Sequence, residues 1–187
     1  KKILITGSAG FIGFHLCKDL IKNKNLSLVG IDNVNNYYDV KLKKKRINIL
    51  KKKNFFFKKI DLINKKKLDL IIRKFNPETI YHLAGQPSVL YSFKNPYSYK
   101  RNNITATEVL CKISKKYKIK NFIFGSSSSI YGDQKRFPIK ENFKKKPKNY
   151  YAITKYKCEK IVEKNFKVSS VNFKIFRFFT VYGPYGR

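Results

Sequence analysis

The 187-residue sequence contains no methionine and no tryptophan, and only three cysteines, two histidines and 11 acidic side chains. Each scarcity excludes something. Cys17, Cys111 and Cys158 lie far apart with no CxxC spacing, which leaves neither a disulfide scaffold nor a zinc ribbon. Ordinary buried thiols in a reduced, cytoplasmic setting are expected instead. His15 and His82 have no ligand-type spacing to Cys, Asp or Glu, so no metal is assigned. No apolar run approaches the ~18 residues of a membrane-spanning helix, and no secretory-type apolar stretch stands near the start. The chain opens without Met directly in a strand-like run and stops at Gly186-Arg187 in a loop-like one. It is therefore expected to be part of a longer protein.

What is present is base and apolar surface. Lys and Arg total 43, giving a net charge of +32, while hydrophobic residues make up 42% and aromatics 16%, enough for a sizeable core. Arginine occupies only positions 46, 73, 101, 136, 177 and 187, so the excess is lysine. Readers of nucleic-acid sequence favour Arg for its bidentate fork. Lysine accompanied by abundant Asn, Ile, Phe and Tyr reads as a compositional bias, and no nucleic-acid partner is assigned.

Short apolar runs alternate with longer amphipathic stretches, the βαβα signature of a parallel sheet. Strands are predicted at 2–6, 26–31, 54–58, 79–83, 122–125 and 171–176. Helices are predicted at 11–21, 40–50, 66–75, 97–116 and 151–166. The lysine clusters at 43–45, 51–53 and 65–67 are expected on solvated helix faces or at helix ends. The fold class is α/β: a Rossmann-type doubly wound parallel sheet with helices on both faces, forming one domain over residues 1–187.

The first strand runs into Thr6-Gly7-Ser8-Ala9-Gly10-Phe11-Ile12-Gly13, followed by a helical pattern. In this strand–turn–helix position, Gly7 permits the tight turn, Gly10 the close approach of a diphosphate, and Gly13 close helix packing. The anion then sits on the helix N-terminus. Asp32, ending the second strand in Gly30-Ile31-Asp32-Asn33, accepts hydrogen bonds from ribose hydroxyls and repels a 2′-phosphate, favouring NAD over NADP. Asp61-Leu62 after the third strand is a weaker candidate for the adenine end; alone, Asp61 would read as a helix cap.

Beyond the fifth strand comes the run Ser126-Ser127-Ser128-Ser129-Ile130-Tyr131-Gly132, and later Tyr151-Ala152-Ile153-Thr154-Lys155. A Tyr and a Lys four apart share a helix face, and the ammonium favours the phenolate. Such a tyrosine can take a proton from a sugar hydroxyl while a strand-end serine donates to the reacting oxygen. His82, at the end of the fourth strand, and His15 are expected to be packed, satisfied residues.

Taken in order, these motifs resemble the extended short-chain dehydrogenase/reductase family, and within it the NAD-dependent nucleotide-sugar epimerases. The stretches 30–39 and 177–187 look like the UDP-glucuronate 4-epimerases. The resemblance implies Ser127, Tyr151 and Lys155 as the catalytic set and NAD as cofactor. It implies a cofactor site of Gly7, Gly10, Phe11, Ile12, Gly13, Asp32, Asn33, Asn36, Asp61, Leu62, Leu83, Ala84, Gly85, Asn102 and Phe179, together with Tyr151 and Lys155. It places Pro87, Ser127, Ser128, Ser129, Tyr151, Thr180 and Arg187 near a UDP-sugar substrate. It also implies a further C-terminal substrate domain, largely absent here, a homodimer, and a role in making UDP-galacturonate for polysaccharides.

Neighbouring activities differ at the serine run. The related 4,6-dehydratases carry Asp-Glu where Ser128 and Ser129 stand, and the related decarboxylases typically carry Glu at Ser129. UDP-glucose/galactose 4-epimerase shares the Ser, Tyr and Lys and remains the nearest alternative. A basic binding protein on a Rossmann scaffold is the non-enzyme alternative, and the complete Ser–Tyr–Lys set speaks against it.

Overall fold

The computed structural model describes residues 1–186. Strands β1 (Lys2–Thr6), β2 (Ser27–Asp32), β3 (Phe55–Lys59), β4 (Thr79–His82), β5 (Asn121–Ser127) and β6 (Asn172–Phe178) form one sheet in the order β3-β2-β1-β4-β5-β6. Every pairing is parallel. Parallel sheets must be covered on both faces, and the strand alternation does this. Leu4, Val29 and Ile31 face one core with Ile80, Phe122 and Phe124; Ile3, Ile5 and Leu28 face the other.

The first core is closed by α3 (Lys65–Phe75), α6 (Ala106–Lys116) and α7 (Tyr150–Phe166), through Leu68, Ile72, Leu110, Val162 and Phe166. The second is closed by α1 (Phe11–Leu20) and the end of α2 (Val40–Ile49), through Phe14, Cys17 and Leu50. Full burial of each such side chain is worth about 1.5–3 kcal/mol. All three cysteines are buried free thiols, and burial pushes the Cys17 thiol up to about 12.

The helix expected at 97–116 is three segments in series: α5 (Pro96–Tyr99), a π-helical stretch at Lys100–Thr105, and α6. Proline at the start fits because its missing N–H would be unpaired there in any case. Two elements had no sequence signal: α4 (Val89–Lys94) and a 3-10 turn at Ser128–Tyr131. Strand β5 also runs further than predicted, so Ser126 and Ser127 belong to the sheet itself.

One expectation is corrected. Lys43 is not on a solvated helix face but buried, with Nζ donating to the Asn35 carbonyl at 2.9 Å and to Asn35 Oδ1 at 2.7 Å. The tertiary acceptors supplied by the loop before α2 make this burial possible.

Candidate active site

Strand order reverses between β1 and β4, where Thr6 pairs with Ile31 on one side and His82 on the other. A crevice opens at the carboxyl ends of the strands at such a switch point. Here it is a cleft of about 560 Å3. Its walls come from the turn after β1, the ends of β2 and β4, the serines of β5, the start of α7 and the segment following β6.

The turn after β1 is held by Gly7 N–H and Ser8 N–H, both donating to the Ile31 carbonyl. Gly7 has φ +71°, and a Cβ there would lie 2.7 Å from Ala84 N. A Cβ on Gly13 would lie 2.2 Å from the Gly7 carbonyl oxygen, so its bareness serves packing of α1 onto the turn itself. Helices α2, α3 and α7 are capped by the side chains of Asp39, Asn64 and Asn149, whereas α1 begins at Gly10 with no side-chain cap. Its first N–H groups carry partial positive charge into the cleft. Asp32 faces this turn: Oδ2 accepts from Ala9 N–H at 3.2 Å and Oδ1 from Val34 N–H at 2.8 Å. Burial pushes the Asp32 carboxyl upward, opposed by those N–H groups and by the charges of Lys43 and Arg46.

At the opposite end, Lys155 is buried, its Nζ donating to the Gly125 carbonyl at 2.7 Å and lying 5.0 Å from the centre of the Phe124 ring. Ser127 Oγ donates to Ser129 Oγ at 3.0 Å and accepts from Ser129 N–H at 3.2 Å. Tyr151, one helical turn before Lys155, lines the cleft with both. Glu159 anchors this end from below. It is buried and forks to Arg177 at 3.0 Å through both oxygens, while Arg177 Nη1 donates to Tyr131 OH at 2.7 Å. The pair ties α7 to β6 and to the 3-10 turn.

Of the predicted residues, Gly7, Gly10, Phe11, Ile12, Gly13, Asp32, Asn33, Asp61, Leu62, Leu83, Ala84, Gly85, Pro87, Asn102, Ser127, Tyr151, Lys155 and Phe179 line this one cleft. Asn36 lines an adjoining polar groove that shares Asp61, Gln86 and Asn102 with the cleft. Ser128, Ser129 and Thr180 are not in the lining; Ser129 reaches it through Ser127, and Thr180 is exposed. Arg187 lies outside the described residues. Asp61 caps no helix: Asn64 caps α3, and the Asp61 carboxylate accepts from Ile63 N–H and pairs with Arg101 at 2.8 Å.

His82 is packed and satisfied, with Thr6 Oγ1 at 2.8 Å and Thr107 Oγ1 at 2.9 Å. His15 is half-buried against the Pro184 carbonyl. Among the described residues, no three His, Cys, Asp or Glu side chains gather as a metal site requires, and no helix is long and apolar enough to cross a membrane.

Among the lining residues that sequence reasoning did not name for the site, four are buried and polar. Lys43 and Arg46 project from α2 and are buried; Gln86 and Ser126 are buried with Nε2 and Oγ unpartnered. The one available signal was Arg46, an isolated arginine among lysines. Orphaned donors, an uncapped helix N-terminus and a carboxylate beside the glycine turn make a set of polar groups suited to a ligand bearing both phosphate and hydroxyl groups.

A doubly wound sheet, a glycine turn at its switch point and a Ser–Tyr–Lys set in the same cleft define a Rossmann-type nucleotide-binding domain with the side chains of a dehydrogenase. The family comparison agrees: the NAD dependent epimerase/dehydratase family model matches residues 3–187, and the chain belongs to that family. It is 38% identical over 98% of its length to the UDP-glucuronate 4-epimerase of Thermodesulfobacterium geofontis, of which it covers 57%. The crystal structure of UDP-glucuronic acid 4-epimerase from Bacillus cereus, in complex with UDP-glucuronic acid and NAD, superposes with a TM-score of 0.94. That match is at 36% identity and covers all of this chain and 59% of that one. UDP-glucose 4-epimerase of Thermotoga maritima, with UDP-glucose, gives 0.87 at 32% identity, covering 98% of this chain and 57% of that one. The chain thus spans a little over half the length of each of these three relatives.

Proposed function

We propose that the protein is an NAD-dependent 4-epimerase interconverting UDP-glucuronate and UDP-galacturonate. The observation that carries this reading is the convergence of Ser127, Tyr151 and Lys155 on the cleft that also holds the glycine turn and Asp32. NAD fits the residues present. The uncapped start of α1, with Gly7, Gly10, Phe11, Ile12 and Gly13, takes the diphosphate. Asp32 and Asn33 take the adenosine ribose, Asp61 and Leu62 flank the adenine, and Leu83, Ala84, Gly85, Asn102 and Phe179 line the remainder. Asn36 belongs to the adenosine side through the adjoining groove.

When bound, NAD would supply a reversible store for the hydride that leaves C4 of the sugar, so the net reaction would leave it unchanged. The chain's own residues handle the proton. The phenolic oxygen of Tyr151, as general base, takes it from the C4 hydroxyl and later returns it; Ser127 Oγ donates to the same sugar oxygen; Lys155 would hold the nicotinamide ribose. The sugar must present both faces of C4 in turn. Pro87 lines the cleft, and Ser128, Ser129 and Thr180, which stand outside its lining, carry short hydroxyls and no carboxylic acid, as a turning uronate would require; Arg187 enters this proposal by the resemblance alone.

Assembly as a homodimer through the helices at 97–116 and 151–166, a cytoplasmic location and a role in supplying polysaccharide precursors belong to the same proposal. Incubation of the full-length protein with UDP-glucuronate, resolved chromatographically, is expected to yield UDP-galacturonate. No such product would sink the assignment, and conversion of UDP-glucose alone would transfer it to the glucose epimerases. Tyr151→Phe is expected to lower turnover by about 100-fold or more while NAD remains bound.

A further inference from the structure

Arg46 is a fully buried cation whose charge has no carboxylate within 4 Å among the described residues. Its guanidinium bridges three parts of the chain. Nη1 donates to the Ala9 carbonyl of the phosphate turn at 2.8 Å and to Tyr38 OH at 2.6 Å; Nη2 donates to the Tyr185 carbonyl at 2.6 Å. Tyr185 belongs to the stretch beyond β6 that crosses back over α1, and Val181, Tyr182, Gly183 and Gly186 of that stretch form one wall of the cleft. Besides Arg46, the stretch is anchored by His15 Nε2, which donates to the Pro184 carbonyl at 2.8 Å, and by the Tyr185 ring, edge-on to Phe14 at 5.3 Å.

We infer that Arg46 is a positioning residue that clamps the 183–186 stretch to the phosphate turn and thereby slows the release of a bound dinucleotide. The inference rests on the function proposed above and adds to it how the cofactor is retained. A guanidinium is one rigid plane, so the turn and the stretch are held by a single group. Opening the stretch would cost Nη2 its acceptor at a part-buried position, which is unfavourable for a charged donor. An epimerase that returns its hydride to the same substrate gains from a cofactor that stays through many turnovers.

The test uses the full-length protein loaded with NADH and chased with excess NAD, with release followed by NADH fluorescence. Arg46→Met removes every bond of the clamp, and Arg46→Lys keeps the charge without the fork. Both are expected to speed release about tenfold or more, with the association rate little changed. His15→Ala, which loses only the Pro184 contact on the half-buried face of α1, is expected to speed release several-fold, and it decides the matter if the Arg46 variants do not fold. Release at wild-type rates from the folded variants, with NADH bound normally, would overturn the clamp alone. No NADH bound by the wild-type protein would overturn both the clamp and the reading beneath it.

Discussion

His82 stands fully buried between two threonine hydroxyls at the point where the sheet reverses. Burial, with a smaller contribution from the Lys155 charge, holds its imidazole neutral, down to about 3. In the unfolded chain the same ring titrates near its ordinary 6.5. Between those values the unfolded state binds the proton and the native state does not, so stability is complete above about 6.5 and is lost as pH falls towards 3. The slope approaches about 1.4 kcal/mol per pH unit inside that window. Urea unfolding from pH 7 to pH 4 is expected to show it, and His82→Gln to flatten it; an equal slope in the variant would refute the assignment. The packed state of His82 was legible because no acidic or metal-type partner accompanied it in sequence. Burial of Lys43 and Arg46 was not legible. Beside Asn35 Oδ1 and Tyr38 OH, their acceptors include the carbonyls of Asn35, Ala9 and Tyr185, backbone atoms that leave no mark on residue type.

Among the elements, α7 carries both the tyrosine and the lysine, and its placement depends on Glu159. With Glu159 almost wholly enclosed, the fork to Arg177 fixes α7 against β6, and the Arg177 bond to Tyr131 extends the tie to the turn beyond Ser127. Glu159→Ala would strand the Arg177 charge with only Tyr131 OH and the Glu141 carbonyl as acceptors. A loss of about 3 kcal/mol or more in unfolding free energy is expected by denaturant titration. A change below about 1 kcal/mol would mean that solvent replaces the pair. Six strands and the long helices were readable because apolar period marks them. The run at Val89–Lys94 is six residues long, too short for a helical period to register. Gly125-Ser126-Ser127 has poor strand propensity, yet it pairs in register with Phe176, Arg177 and Phe178; neighbouring strands override local preference there.

For these 187 residues as a whole, a net charge of +32 would set the field in which the proposed nucleotide-sugar substrate arrives. A diphosphate with a uronate is attracted from a distance comparable to the screening length, roughly 30 Å at 0.01 M salt and 10 Å at 0.1 M. The expected consequence is that kcat/KM for UDP-glucuronate falls steadily as salt rises across that range while kcat holds; a flat profile would show that the charge plays no part in capture. The walls of the cleft are drawn from nearly the whole chain, from Gly7 to Gly186. During synthesis the phosphate turn leaves the ribosome long before the stretch beyond β6 does. A nascent chain can therefore pair β1, β2, β3 and β4 and present a glycine turn to solvent, but it has no closed pocket to fill until β6 and the stretch beyond it have emerged. The cleft is therefore completed only after β6 has joined β5 and the stretch beyond it has folded back.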